Sequence, residues 1–291
     1  MHQHNHCENG KDTVASKLAI AIAIKGLLAL IQVSGGLLSD SMALVADGIH
    51  NFCDTGGILV ALIAQRISNR AATGHMTYGF ARARVLGALF NCGLLVVVGI
   101  YLITEAIALW FEPCVVDGWM VCWIAGITLV VDLATTLLAW LAGAKNNINI
   151  RALFIHNLAD SLGSVTVIIA GALIIVYERY FFDAIATLVI AFFVIYTGIG
   201  LLGKCVFILM QAVPDAVDCD KIREVMQSIE GVEKVTRLNL WQLDEQSICC
   251  EARILLKCAD HEVVKRKLRV ILKHQFSIDH ATLETRGIKL S

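Results

Sequence analysis

Leu44-Val45-Ala46-Asp47-Gly48-Ile49-His50-Asn51-Phe52-Cys53-Asp54 sets a histidine and an aspartate one helical turn apart inside a long apolar stretch. The arrangement returns at His156-Asn157-Leu158-Ala159-Asp160. At ~100° per residue, positions i and i+4 lie ~40° apart around a helix axis and ~6 Å along it, so each pair faces one side. Ionisable groups in hydrocarbon are costly and are usually kept for function. Two imidazoles and two carboxylates converging between helices offer four N/O ligands, a set suited to a divalent transition metal.

The surrounding chain has the composition of a membrane protein, with 57% hydrophobic and 17% charged residues and two prolines in 291. A hydrocarbon core ~30 Å thick needs ~20 helical residues to cross it. Stretches of that length lie near 16–36, 41–65, 84–110, 119–143, 150–177 and 182–209. The first has no small-residue cleavage site and reads as an anchor, not a removed signal. After Pro214 charged and apolar residues mix, as in a soluble domain. The expected architecture is an all-α six-helix transmembrane bundle (16–213) followed by a small cytoplasmic α+β domain (214–291). A histidine-containing tail (1–15) precedes them.

Loop charge sets the expected orientation. Arg66, Arg70, Arg82, Arg84, Lys145 and Arg151 fall on one side, whereas the opposite connections carry Arg179 beside Asp40, Glu112, Asp117, Glu178 and Asp183. Basic residues stay on the cytoplasmic side. Both termini are therefore expected in the cytoplasm of a multi-pass protein of the bacterial inner membrane. The ten cysteines are scattered and suggest no disulfide framework. Acidic and basic residues are equal in number after Pro214, so no nucleic-acid footprint is expected there. Lys265-Arg266-Lys267 and Arg269 read as a solvated helix face.

Depth tests whether the two pairs can meet. If span two runs inward and span five outward, His50 lies ~15 Å and Asp54 ~21 Å below the outer surface at ~1.5 Å per residue. His156 then falls at ~20 Å and Asp160 at ~14 Å in a core of ~30 Å. Asp160 is level with His50, and His156 with Asp54. Polar helix packing could account for one such pair. Two matching pairs at matching depth point to an ion site. Two histidines and two carboxylates suit tetrahedral Zn²⁺, and Cd²⁺ or Co²⁺ also fit. All four ligands take protons, so acid competes with metal, and protons are the expected coupling ion.

Asp47, Asp132 and Lys25 are further charged residues within spans. Asp47 shares the face of His50; it orients that imidazole, lines the outer access route or, as a weaker candidate, ligates the metal itself. Asp132 reads as part of an ion pathway or as a buried hydrogen-bonding group to Thr or Asn. Lys25 either snorkels or pairs inside the bundle.

On these residues the chain resembles the cation diffusion facilitators, a family of metal exporters. Leu44–Asp54 resembles the family's second-span metal motif and His156–Ser164 its fifth-span motif. Tyr78–Asn91 resembles the entry to span three, Met210–Pro214 the exit from span six, and Leu240–Leu243 a strand of the cytoplasmic domain. Arg84 stands where many relatives carry an acid, and Asn239 replaces a frequent histidine. The resemblance implies a homodimer that exports zinc-type ions from the cytoplasm in exchange for protons by alternating access. It places His50, Asp54, His156 and Asp160 around the metal in each protomer.

Residues 214–291 read as helix, strand (232–243), strand (247–257), helix (260–275) and strand (278–285). This order resembles the family's metallochaperone-like domain. His261 and His280 are secondary metal candidates there, with Glu251, Cys249 and Cys250 as possible companions at unremarkable spacing. His2, His4, His6 and Cys7 could catch metal loosely, and His75 stands alone between spans two and three. The competing function is a membrane-embedded metal-dependent hydrolase. It would keep a coordination position open for water beside a general base. Two equivalent motifs already fill four positions, and no His-Glu-x-x-His motif occurs.

Overall fold

The computed structural model describes residues 5–141, 148–214, 217–244, 247–257 and 260–287, and the side chains among them except those of 5–21, 139 and 148–153. Six long helices come first: α1 (Asn5–Leu38), α2 (Met42–Ser68), α3 (Ala83–Phe111), α4 (Gly118–Leu141), α5 (Ile148–Tyr177) and α6 (Phe181–Leu209). Then follow α7 (Cys219–Gln227), β1 (Val232–Gln242), β2 (Ile248–Leu256), α8 (His261–Phe276) and β3 (Ile278–Gly287). The expected order of elements is the observed one. Helix α1 begins at Asn5 and takes in most of the expected tail, while His2 and His4 lie outside the described residues.

Among the described residues, four helices are long and apolar enough to cross a membrane: Ala83–Phe111, Gly118–Leu138, Phe154–Tyr177 and Phe181–Leu209. Helix α2 falls below that hydropathy because Asp47, His50, Asn51 and Asp54 interrupt its apolar run. The described apolar part of α1 is shorter, Ile22–Leu38. Leu62, Phe90, Trp123, Phe192 and Tyr196 are large apolar side chains turned outward. Such a surface suits hydrocarbon and not water.

The chain divides into two compact units, Met1–Val60 with Phe90–Gly200, and Ala61–Leu89 with Leu201–Ser291. In the first, Leu44, Leu102, Val121, Val167 and Val194 belong to one buried core. Helices α4 and α5 approach through glycine. A Cβ on Gly171 would stand 2.8 Å from Cys122 Sγ and 3.2 Å from the Gly118 carbonyl. Small residues permit such backbone approach in membranes, where dispersion between helices replaces hydrophobic burial. Helix α5 leaves similar room at Gly163, where a Cβ would lie 2.8 Å from Asp47 Oδ1 on α2.

The start of α2 is fixed from α6. The Ser41 hydroxyl donates to Asp183 Oδ1 (2.5 Å), and the Met42 and Ala43 amides donate to Asp183 Oδ2 (2.7 and 3.1 Å). Free amides at a helix N-terminus need acceptors, and a carboxylate suits the positive end of the dipole. Asp183, expected only as a loop acid, thus holds α2 in place.

In the second unit β1 pairs antiparallel with β2, and β2 pairs parallel with β3 after the α8 crossover. Helix α7 buries Ile222 and Met226, and α8 buries Val264, Leu268 and Leu272, against the sheet's Leu240, Ile254 and Leu283. Apolar positions three and four apart give each short helix one buried stripe. Asp218 caps α7 by accepting from the Asp220 and Lys221 amides. Arg84, the departure at the start of α3, lies 3.6 Å from Asp244 in the β1–β2 connection and donates to the Ser68 hydroxyl at 2.8 Å.

Candidate metal centre between helices α2 and α5

One turn separates His50 from Asp54 on α2, and His156 from Asp160 on α5, so each helix presents two ligands on one face. The faces meet. His50 Nε2 lies 3.6 Å from Asp54 Oδ2 and 3.9 Å from Asp160 Oδ1. His156 Nε2 lies 3.5 Å from Asp54 Oδ2 and 3.8 Å from Asp160 Oδ2. The cross-helix contacts join His50 to Asp160 and His156 to Asp54, the partners that depth places at equal levels. A tetrahedron of N/O ligands ~2.0–2.1 Å from zinc has edges of ~3.3–3.4 Å. With one oxygen taken from each carboxylate, three of its six edges, 3.5–3.8 Å long, are near that size before any side chain moves.

Burial is graded across the group. The Asp160 side chain is 2% exposed and that of His50 10%, against 18% for Asp54 and 46% for His156. The cluster is most open on its His156 side. Phe193 of α6 meets the His50 ring edge-on at 6.2 Å and restricts its tilt. His50 Nδ1, Asp54 Oδ2 and Asp160 Oδ1 are buried and have no hydrogen-bond partner among the described residues. Buried polar atoms are nearly always satisfied. Three exceptions at one spot suit ligands and proton carriers better than structural polar groups.

Asp47 stands apart from the four. Its Oδ2 accepts from Gln32 Nε2 (2.6 Å) and Ser164 Oγ (3.2 Å), while Asn51 Nδ2 donates to Gln32 Oε1 (3.0 Å). Asp47 thus stitches α1, α2 and α5 together without a hydrogen bond to His50. Asp132 is also buried. The Thr135 and Thr136 hydroxyls donate to its backbone carbonyl (2.9 and 2.7 Å) and not to its carboxylate. Lys25 pairs inside the bundle: its ammonium donates to Asp160 Oδ2 (3.0 Å) and Asn157 Oδ1 (3.1 Å). Of the two expectations for Lys25, snorkelling or an internal pair, the pair is observed, and its partner Asp160 lies 135 residues away.

The candidates after Pro214 do not gather. His261 Nδ1 sits 3.3 Å from Thr285 Oγ1 at one end of the sheet, and His280 is exposed on β3 in register with Cys249 of β2. Cys249 and Cys250 are buried, and burial pushes the Cys250 thiol up to about 12. A thiol held protonated by apolar surroundings is a poor metal ligand. Glu251 accepts from Asn239 Nδ2 at 3.5 Å. His75 borders a cavity of ≈ 670 Å³ whose walls include Met76, Tyr78, Phe80 and Trp241. Among the described residues, the one group of three or more metal-type ligands within mutual reach is His50, Asp54 and Asp160; His156 approaches Asp54 and Asp160 but falls outside that group.

Residues 18–210 match the family model for the cation efflux transmembrane domain. Over 97% of this chain and 91% of its own length, the cadmium, cobalt and zinc/H(+)-K(+) antiporter of Bacillus subtilis is 32% identical. The zinc transporter ZitB of Escherichia coli is 31% identical over the same shares. The cation efflux system protein CzcD of an Alcaligenes species is 28% identical over 97% of the chain and 89% of that protein. A match running through both the helical bundle and the α+β domain makes this chain a member of the cation efflux (cation diffusion facilitator) family, a multi-pass membrane transporter and not an enzyme.

Proposed function

We propose that this chain exports a divalent transition metal, zinc foremost and cadmium or cobalt next, in exchange for protons by alternating access. His50, Asp54, His156 and Asp160 are the ligands in that reading. The carrying observation is the four His–Asp separations of 3.5–3.9 Å between two helices. The names of the relatives, zinc transporter and cadmium, cobalt and zinc antiporter, support the choice of cargo.

Proton exchange follows from the ligand chemistry. Imidazole titrates near neutrality and loses metal as it gains a proton, so acid on one side favours release there. The antiporter name of the Bacillus subtilis relative supports the same coupling. In this reading α1 and α2 cross the bilayer with the four more apolar helices. Their polar groups turn into the bundle, and both termini lie in the cytoplasm of the bacterial plasma membrane. Two copies assemble, with the α+β domain at the cytoplasmic end. Residues 1–15, 16–213 and 214–291 remain the proposed division into tail, transport domain and cytoplasmic domain.

Zinc uptake into inside-out vesicles tests the reading. An imposed gradient, acid inside, should accelerate uptake several-fold, and collapsing it with a protonophore should remove the acceleration. Uptake indifferent to the gradient would refute antiport while leaving the metal site standing.

A further inference from the structure

The oxygen of Asp160 that faces His156 at 3.8 Å is also the one that Lys25 holds at 3.0 Å. A dication and an ammonium cannot both occupy it closely in a medium that screens charge poorly. The second acid near Lys25 is Asp132 on α4, whose Oδ1 is 3.9 Å from the ammonium. Asp132 is 3% exposed, its Oδ2 has no hydrogen-bond partner, and its neighbouring threonine hydroxyls serve the backbone instead. The Lys25 side chain keeps 25% exposure and therefore has room to shift.

We propose that Lys25 is a tethered counter-cation exchanged between two acids: it holds Asp160, and when a divalent ion takes Asp160 the ammonium passes to Asp132. A shift of about 1 Å would turn the longer contact into a hydrogen bond of ~2.9 Å. Asp54 and Asp160 then balance the dication, while Asp132 balances the lysine. Asn157 Oδ1, at 3.1 Å, stays beside the ammonium as a neutral pivot. Uncompensated charge in a bundle interior is strongly unfavourable, and with the dication on Asp54 and Asp160 and the ammonium on Asp132 every charge of the metal-bound state has a partner. Competition from Lys25 also weakens metal binding, which speeds release in a protein that must let its cargo go.

This inference rests on the four-ligand reading, and equilibrium Cd²⁺ binding to the full-length protein in lipid nanodiscs separates the two. D54N should abolish binding; wild-type affinity in D54N would remove the site and this proposal with it. K25M should bind Cd²⁺ tighter by about tenfold or more, since a repelling charge within a few ångströms is gone. D132N should bind less tightly, and most of that loss should vanish in the K25M/D132N double variant. With D54N inactive, K25M no tighter than wild type, or an undiminished D132N loss in the K25M background, overturns the exchange alone. Should K25M fail to fold, acylation of Lys25 in wild type by an amine-reactive ester, read by mass spectrometry, replaces it. Cd²⁺ should change that rate in wild type and leave it unchanged in D54N; an unchanged rate in wild type overturns the exchange.

Discussion

The helical bundle and the α+β domain both carry histidines, acids and cysteines, yet they use them in opposite ways. Between α2 and α5, each of two histidines lies 3.5–3.9 Å from each of two aspartates, and three buried atoms of the group lack hydrogen-bond partners among the described residues. In the α+β domain, His261 leans on Thr285, Glu251 on Asn239, and Cys250 is sealed in the sheet. Residue type alone does not make a site. Convergence without satisfaction does, because a group that already has its hydrogen bonds gains little from a metal.

The sharpest way to break the contrast is substitution of a shared acid. Asp54→Ala or Asp160→Ala should abolish rescue of a zinc-sensitive, exporter-deficient strain at unchanged protein level, whereas surviving rescue would dissolve the distinction between the regions. A smaller effect tests how the bundle is held. Gly171→Val must separate α4 from α5, because even a Cβ there meets Cys122 Sγ at 2.8 Å. It should cost about 1–3 kcal/mol of stability and reduce transport several-fold, read as a lowered melting temperature beside vesicle uptake.

Asp183→Ala addresses the anchoring of α2. It strands the Ser41 hydroxyl and the Met42 and Ala43 amides, and should cost about 1–3 kcal/mol. Transport should fall in step with folded protein, with metal affinity unchanged in the fraction that folds. The smallest effect belongs to the other region. His261→Ala and His280→Ala should each leave zinc rescue and Cd²⁺ affinity within about twofold, since His280 is exposed and half-buried His261 has only the Thr285 hydroxyl as a side-chain partner among the described residues. A large loss from either would make the α+β domain a metal site in its own right.

Much of this molecule is local and therefore readable. Helix α8 was expected at 260–275 and lies at His261–Phe276, because Val264, Leu268 and Leu272 repeat at a helical interval. The two His-to-Asp intervals point each pair to one face by geometry alone, so the four ligand candidates were legible without a fold. The second apolar helix was equally legible, although its polar face keeps it below the hydropathy of α3 to α6.

Partnership across the chain was not readable in the same way. Lys25 and Asp160 are 135 residues apart, and Ser41 and Asp183 are 142 apart. No periodicity encodes which acid a lone cation will meet, or that a loop aspartate caps another helix. Helix packing decides those contacts, through glycines such as Gly163 and Gly171 that set how closely backbones approach. Sequence by itself determined the helices, the order of the α+β elements and the one-turn spacing of the four candidate ligands, since each depends on residues within a turn or two. Tertiary structure alone decided that Asp47 joins Gln32 and Ser164, that Lys25 pairs with Asp160, and that the histidines after Pro214 stay apart. The physical reason is that charge and hydrogen bonding act over a few ångströms of space, whatever length of chain lies between.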